Sequence, residues 1–201
     1  MHRVVTMFLG VTVLLAAAQG AFAAPQDGRG QGRSGGGAGR GPQGPPITTL
    51  AGDVQSDLDR TRELIVNLVN AMPEDKFGFK PTPAQQSFGE RVMHIVTVDG
   101  FLFNSLGGKT AAPTINQKAT TKADILAALK QSYDWQAAVL KEFNDQQLVE
   151  RVTPPPFLGS SASRVKVFYY DLQHTEDIYG QLVVYLRLNG VTPPASQRGG
   201  V

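Results

Sequence analysis

The stretch HTEDIYGQLVVYLRLNGVTPP, residues 174–194, carries apolar residues at the spacing of a long amphipathic helix. It ends in an Asn-Gly pair with Pro193 beyond, which is typical of a helix C-terminus. Two histidines four residues apart on one helix can hold a metal, but here Ile178 stands four residues after His174. The stretch therefore predicts a helix with an incomplete histidine pair.

Three further segments with helical periodicity precede this one, and stretches rich in Gly and Pro separate them. We predict four helices in all, over about residues 49–71, 87–106, 121–143 and 163–188. Ser87 and Glu90 have the spacing of a capping box, and Thr121 begins a similar N-cap pattern. The start of the second and third helices is thus marked in the sequence.

The fold expected for residues 47–195 is all-α, a four-helix bundle. The composition of residues 165–170 is typical of a strand, but apolar positions continue in phase into Tyr179 and Val183, so we predict helix there. No segment predicts a sheet convincingly. In such bundles, sites are usually built from side chains on facing helices.

The N-terminus has the order of a secretory signal peptide. A basic start precedes an apolar run, Val4 to Ala18, and Ala21-Phe22-Ala23 supplies the small residues of a cleavage site. The run is shorter than the roughly 20 residues of a membrane span, so we predict a cleaved signal over residues 1–23 and no permanent anchor. The protein is expected to be exported, to the periplasm or the extracellular medium. It contains no cysteine, so its core must hold it without disulfides.

Residues 24–46 consist almost entirely of Gly, Pro, Gln, Arg and Ser, which predicts a flexible linker. Its arginines suggest either an RNA- or envelope-binding arm or a solubilising tether, and we favour the tether. Residues 196–201 are predicted to be a disordered tail. Four of the 19 basic and one of the 17 acidic residues lie in residues 1–46, which leaves 15 basic and 16 acidic residues for the rest. That balance gives no electrostatic reason to expect nucleic-acid binding.

His94 and His174 are the candidate metal ligands, because each stands in the middle of a different predicted helix. A third ligand would have to be an oxygen donor or water, since there is no cysteine. Asp177 is the candidate substitute, three residues after His174, and Asp171 and Asp99 are weaker candidates. For each of these acids a solvated or paired surface position is the better prediction.

Other catalytic patterns are missing from the sequence. There is no G-x-S-x-G elbow, no phosphate-binding Gly loop ahead of a helix and no cysteine nucleophile. Catalytic residues therefore stay unknown, and no cofactor-binding motif is predicted. A homodimer through a helix face is compatible with a bundle of this kind.

Three segments resemble the DinB-like superfamily, a family of four-helix-bundle, metal-dependent proteins. They are SFGERVMHIVTVDGFLF (residues 87–103), MPEDKFGFKPTP (residues 72–83) and HTEDIYGQLVVYLRLNGVTPP, and the resemblance covers about residues 50–195. It implies a divalent metal held by one histidine of helix two and an H-x-x-x-H pair, together with thiol-dependent transferase or isomerase activity. His94 and His174 match two of these ligands, and Ile178 occupies the position of the third.

Two functions follow as hypotheses. The first is an exported, degenerate or non-catalytic DinB-like binding protein with a partial metal site and an unknown small-molecule ligand. The second is a transferase or hydrolase that uses zinc, nickel or manganese held by His94, His174 and an oxygen ligand such as Asp177. An apolar side chain cannot coordinate an ion, so Ile178 favours the first hypothesis.

Overall fold

The computed structural model describes residues 48–197, and the signal peptide and linker predicted over 1–46 lie outside them. Four long helices run through the described part, which confirms the predicted all-α bundle. They are α1 (Leu50–Ala71), α2 (Phe88–Asn104), α3 (Lys122–Leu140) and α5 (Arg164–Leu188). None of the helices in residues 48–197 is long and apolar enough to cross a membrane.

The predicted helix starts carry the expected caps. The Ser87 side chain accepts from the Glu90 backbone N–H, and the Glu90 carboxylate accepts in turn from the Ser87 N–H at 2.7 Å. The Thr121 hydroxyl likewise accepts from the backbone N–H of Asp124. At the far end of α5, Gly190 takes the left-handed conformation (φ 71°) that ends many helices. Local sequence thus determines where these helices begin and end.

Each long helix packs against two others, in the order α1, α5, α2, α3 around the bundle. Two apolar clusters fill the interior. One contains Ile65, Val96, Leu129 and Ile178 among its members, and the other contains Leu58, Leu102, Val139 and Phe168. Because α2 lies beside α5, side chains in the middle of these two helices face each other.

The connection between α3 and α5 differs from the prediction. It contains a short helix, α4 (Asp145–Val149), and two strands of two residues each, β1 (Arg151–Val152) and β2 (Ala162–Ser163), which pair antiparallel. The sequence did not predict this two-stranded pair, which leaves the all-α architecture unchanged. Strands so short have no periodicity that a sequence pattern can reveal.

Arg164, at the start of α5, holds this connection to the bundle. Its guanidinium donates to the carbonyl oxygens of Leu106 and Gln147, each at 2.9 Å, and to the Glu150 carboxylate at 2.8 Å. It also lies 4.7 Å from the centre of the Phe143 ring. One side chain thus links the ends of α2, α4 and α5.

The predicted tail begins within a turn of 3₁₀ helix at Pro194–Ser196, and residues 198–201 lie outside the described part.

Candidate functional site

α2 and α5 bring the two candidate histidines together. The Nε2 atoms of His94 and His174 are 3.3 Å apart, and their ring centres are 5.1 Å apart at an interplanar angle of 65°. The two residues are 80 positions apart in the chain, so only the packing of α2 on α5 places them in contact. The pair that the sequence predicted across the bundle is therefore present.

Both histidines are disposed to be neutral near pH 7. The pKa of His174 is lowered to about 4, mainly by burial and then by positive charge on His94; Asp177 opposes the shift and Arg91 adds to it. Burial, followed by the charge of Arg91, also lowers the pKa of His94. A neutral imidazole can coordinate a metal or exchange a hydrogen bond with its neighbour.

The spacing of the two Nε2 atoms suits one metal ion. Two nitrogens bound to a tetrahedral zinc at about 2.0–2.1 Å lie about 3.3–3.4 Å apart. The observed distance of 3.3 Å between the two Nε2 atoms matches that separation. The same distance also fits a hydrogen bond in which one imidazole N–H donates to the other ring, so spacing alone does not distinguish the two arrangements.

Ile178, at the position where the resemblance implies a third ligand, offers no donor atom to a metal. Ile178 is buried, with 2 % of its surface exposed, and belongs to the apolar cluster that includes Met93 and Leu182. Asp177 is exposed on α5 and accepts a hydrogen bond from Gln181 at 2.8 Å. Within residues 48–197, no group of three or more His, Cys, Asp or Glu side chains is placed to hold a metal.

The surroundings of His174 also fit a metal poorly. A metal on Nε2 requires the proton on Nδ1, and metal-bound histidines almost always donate that proton to a carboxylate, carbonyl or water. The His174 Nδ1 atom is buried and finds no hydrogen-bond partner among the described residues. The positive charge of Arg91, which disfavours protonation of both rings, also opposes a bound cation. The residues present therefore do not fit the three-ligand site of a metal enzyme.

An open cleft of about 740 Å³ lies beside His94. Its walls come from the loop before α2, from one face of α2 and from the loop before α3. The polar lining residues are Lys80, Gln85, Gln86, Glu90, His94, Thr97, Gln117, Lys118 and Thr120. This cleft is not predictable from the sequence, because most of these residues lie in loops without a motif.

Several contacts fix the walls of the cleft. The Tyr185 hydroxyl donates to the carbonyl oxygen of Gln86 at 2.8 Å, which holds the loop before α2 against α5. The Thr97 hydroxyl donates to the side-chain oxygen of Gln117 at 2.9 Å, which links α2 to the opposite wall. The cleft thus presents amide and hydroxyl groups in fixed positions around one face of His94.

Asp99 and Asp171, predicted to be surface groups, are both buried in the bundle. That prediction was wrong. Asp99 lies three residues from both Val96 and Leu102, and Asp171 lies three residues after Phe168, all of them core positions. The helical spacing of these two residues from core positions indicates burial, whereas their spacing from the histidines carries no information about it.

Comparison with known proteins agrees with this fold. The family model of the DinB superfamily matches residues 57–182. A DinB-like protein from Bacillus cereus ATCC 10987 is 20% identical with a TM-score of 0.63, over 73% of this chain and 96% of that one. The DinB-like protein YjoA from Bacillus subtilis is 19% identical with a TM-score of 0.56, over 72% and 98% of the two chains. No curated protein matches the sequence.

The chain therefore belongs to the DinB superfamily, and the predicted resemblance is confirmed. At 19–20% identity the two solved structures show a common fold and nothing of ligand or activity.

Proposed function

We propose that this DinB-superfamily protein is an exported, non-catalytic binding protein that captures a small polar molecule in the cleft beside His94. The observation that carries the proposal is Ile178: a buried apolar side chain stands where the resemblance implies the third metal ligand. Without that ligand the histidine pair is a hydrogen-bonding group rather than a catalytic metal centre. The cleft next to it supplies the room for a ligand.

The lining of the cleft indicates the chemistry of that ligand. Gln85, Gln117 and Thr120 offer amide and hydroxyl groups, which can both donate and accept hydrogen bonds. The ammonium group of Lys80 is 3.3 Å from the Glu90 carboxylate, so these two opposite charges largely neutralise each other at the rim. A neutral molecule with several hydroxyl or amide groups, such as a saccharide or a short peptide, suits this surface.

His94 lines the cleft with a polar ring, and His174 contacts that ring through its Nε2 atom. Because the pKa values of both rings are lowered, a neutral pair persists at neutral pH. If His174 donates its Nε2 proton to His94, the His94 ring is fixed in one tautomer and its Nδ1–H is available as a donor. The histidine pair then determines which hydrogen-bonding group of His94 a ligand contacts.

A second function, a metal-dependent transferase or hydrolase, is favoured by one observation, the 3.3 Å between the Nε2 atoms. In that case His94 and His174 would hold zinc, nickel or manganese, and the remaining positions would fall to an oxygen donor from a ligand or from water. The metal would supply a Lewis acid. Asp177 could join only after leaving Gln181 and turning toward the histidines.

Metal titration distinguishes the two functions. Residues 24–201, the chain expected after signal cleavage, would be titrated with zinc, nickel and manganese by calorimetry. We expect no tight stoichiometric binding, and little difference between the wild type and His174→Ala. One equivalent of tightly bound metal that is lost in His174→Ala would contradict the binding-protein proposal and support the enzyme.

Ligand binding in the cleft can be tested by NMR with isotope-labelled protein and neutral saccharides or N-acetylated dipeptides as probes. We expect shifts at cleft residues and weaker binding in Gln117→Ala. Gln146→Ala, an exposed glutamine on α4, is the matched control. Shifts confined to other faces of the bundle would place the ligand elsewhere.

Export rests on the first 23 residues of the sequence. N-terminal sequencing of protein recovered outside the cytoplasm should begin at Ala24. Recovered protein that still begins at Met1 would contradict the signal peptide.

A further inference from the structure

Asp99 on α2 and Asp171 on α5 form a carboxyl pair inside the bundle. Asp99 is completely buried and Asp171 is 2 % exposed. The Oδ1 atom of each carboxyl group is buried and accepts from no donor among the described residues, and each group shifts the pKa of the other. Two ionised carboxylates contain only acceptors, so a hydrogen bond between them requires a proton on one of them.

The pair belongs to a polar layer between the two apolar clusters, to which all four long helices contribute. The layer consists of Thr61, Asp99, Ser132, Gln136, Asp171 and Thr175. On each helix these residues stand between members of the two clusters, as Thr61 does between Leu58 and Ile65. Apolar packing on both sides keeps bulk water from the carboxyl groups, so charge there is costly.

The hydrogen bonds show which aspartate carries the proton. The Ser132 hydroxyl donates to the Asp99 carboxyl at 2.7 Å, and the Gln136 amide donates in turn to the Ser132 hydroxyl oxygen at 3.4 Å. Among the described residues, no donor forms a hydrogen bond to the buried Oδ1 atom of Asp171. Donors stabilise the ionised form, so Asp99 is the carboxylate and Asp171 is the acid that donates to it.

We propose that Asp99 and Asp171 share one proton and act as a pH-sensitive clamp that holds α2 to α5 next to the histidine pair. Asp171 is three residues before His174, and Asp99 is five residues after His94. With the proton present, the pair is a hydrogen bond between the two helices. When the proton is lost, two buried carboxylates repel each other and the helices separate at this layer.

The ionisation of both groups supports this arrangement. Burial raises the pKa of Asp99 to about 6, although its hydrogen bonds to Ser132 and Asp171 oppose the rise. Burial and the neighbouring charge of Asp99 raise the pKa of Asp171 well above its ordinary value. The two carboxyl groups titrate together. The pair loses its first proton at a lower pH than its second.

Two other titratable groups face the pair. Tyr133 on α3 has a buried hydroxyl, and burial together with the charges of Asp99 and Asp171 raises its pKa well above 10, so it stays neutral. Arg62 on α1 lies 5.6 Å from the centre of the Tyr133 ring and is 3.1 Å from the Asp134 carboxylate. The positive charge of Arg62 is thus already paired, and it does not replace the shared proton.

A small cavity lies between α1 and α3, beside Gln136 of the polar layer. It has a volume of about 10 Å³ and is lined by Tyr133 and Gln136 on the inner side and by Asp59 and Arg62 toward the surface. This is close to the roughly 10–15 Å³ that one water molecule needs. Small openings of the α1–α3 seam would connect the polar layer to solvent.

The sign of the pH effect follows from linkage. Unfolded aspartates lose their protons near about pH 4, whereas the folded pair keeps at least one to a higher pH. The stability that the pair contributes is therefore fully present below about pH 4 and is lost as pH rises through the folded pKa values.

The test is urea unfolding of residues 24–201 between pH 8 and 9, where the histidines are neutral in both the folded and the unfolded state and do not change the pH dependence of stability. We expect the unfolding equilibrium constant of the wild type to rise by up to about tenfold per pH unit for the retained proton. Asp171→Asn should be nearly flat, because its amide donates to Asp99 without a titrating proton. Asp53→Asn, an exposed change on α1, should keep the wild-type slope.

Equal slopes in the wild type and Asp171→Asn would overturn the proposal. Infrared spectroscopy of the wild type at pH 7 gives a readout that does not depend on the variant folding. We expect the carbonyl band of one protonated carboxylic acid, and its absence would also overturn the proposal. Stabilisation at pH 8 by sodium or calcium chloride but not by choline chloride would assign a cation, and not a proton, to the pair.

Discussion

The same two helices carry two cross-helix pairs with opposite properties. His94 and His174 are partly exposed beside a cleft, and their pKa values are lowered. Asp99 and Asp171 are buried in the polar layer, and their pKa values are raised. In both pairs burial favours the neutral form, which for a base means losing a proton and for an acid means keeping one. One physical cause therefore removes protons from the histidine pair and retains a proton in the aspartate pair.

The largest expected effect comes from completing the histidine site. Ile178→His should raise affinity for zinc or nickel by at least about 100-fold, more than the roughly 10- to 100-fold that outer-shell changes cost. The added imidazole would stand one helical turn after His174, on the same face of α5. Calorimetry with Ile178→Val as the matched control measures it. An unchanged affinity would show that the two histidines do not converge on a metal position.

The two pairs should give opposite pH dependences between about pH 4 and 6.5. The lowered folded pKa of His174 means that the histidine contribution is lost as pH falls through this range, whereas that of the aspartates is lost as pH rises. In Asp171→Asn the unfolding free energy should therefore increase with pH, and in His174→Gln it should decrease. Each slope is at most about tenfold in the equilibrium constant per pH unit for each proton.

Urea unfolding across this pH range measures both curves. If the unfolding free energies of the two variants changed with pH in the same direction, the two pairs would not have opposite pH dependences.

Ser132→Ala compares the contribution of a buried polar group to stability with that of an exposed one. It removes the hydroxyl that donates to Asp99 at 2.7 Å, and we expect a loss of about 1–3 kcal/mol in unfolding free energy at pH 7. The control is Ser56→Ala, an exposed position on α1, which should change stability by less than about 0.5 kcal/mol. Equal effects at the two positions would mean that the polar layer is hydrated.

The smallest effect is expected at the surface. Arg60 and Glu176 form an ion pair at 2.7 Å between α1 and α5, and both side chains are largely exposed. Arg60→Ala should cost no more than about 0.5 kcal/mol, because water and salt screen exposed pairs. Chemical denaturation at low and high salt measures it. A loss comparable to that of Ser132→Ala would contradict the ranking of buried over exposed pairs.

Much of the fold could be predicted from local pattern. The capping box at Ser87 and Glu90, the N-cap at Thr121 and the Asn-Gly end of α5 are short-range signals, and the structure has each of them. The helix over residues 165–170 was also predicted correctly, because its apolar phase continues along α5. The short helix α4 and the β1–β2 pair could not be predicted, since two to five residues contain too little periodicity.

The candidate site was only half predictable. The sequence predicts His94 and His174 as candidate ligands because they are the only histidines in the predicted bundle. The structure places their Nε2 atoms 3.3 Å apart. The cleft was missed because loops that are distant in sequence build it. The burial of Asp99 and Asp171 was missed because acidic residues are rarely buried without a partner, and their partner is each other.

By itself, the sequence determined the four helices and their capped ends, because each depends on residues within a few turns of one another. Only the tertiary structure decided that the histidines meet, that Ile178 is in the core and that two carboxyl groups share the interior. Those facts depend on which faces of α2 and α5 pack together. Burial then favours the uncharged form of each group, since the cost of charge depends on how far a group lies from water.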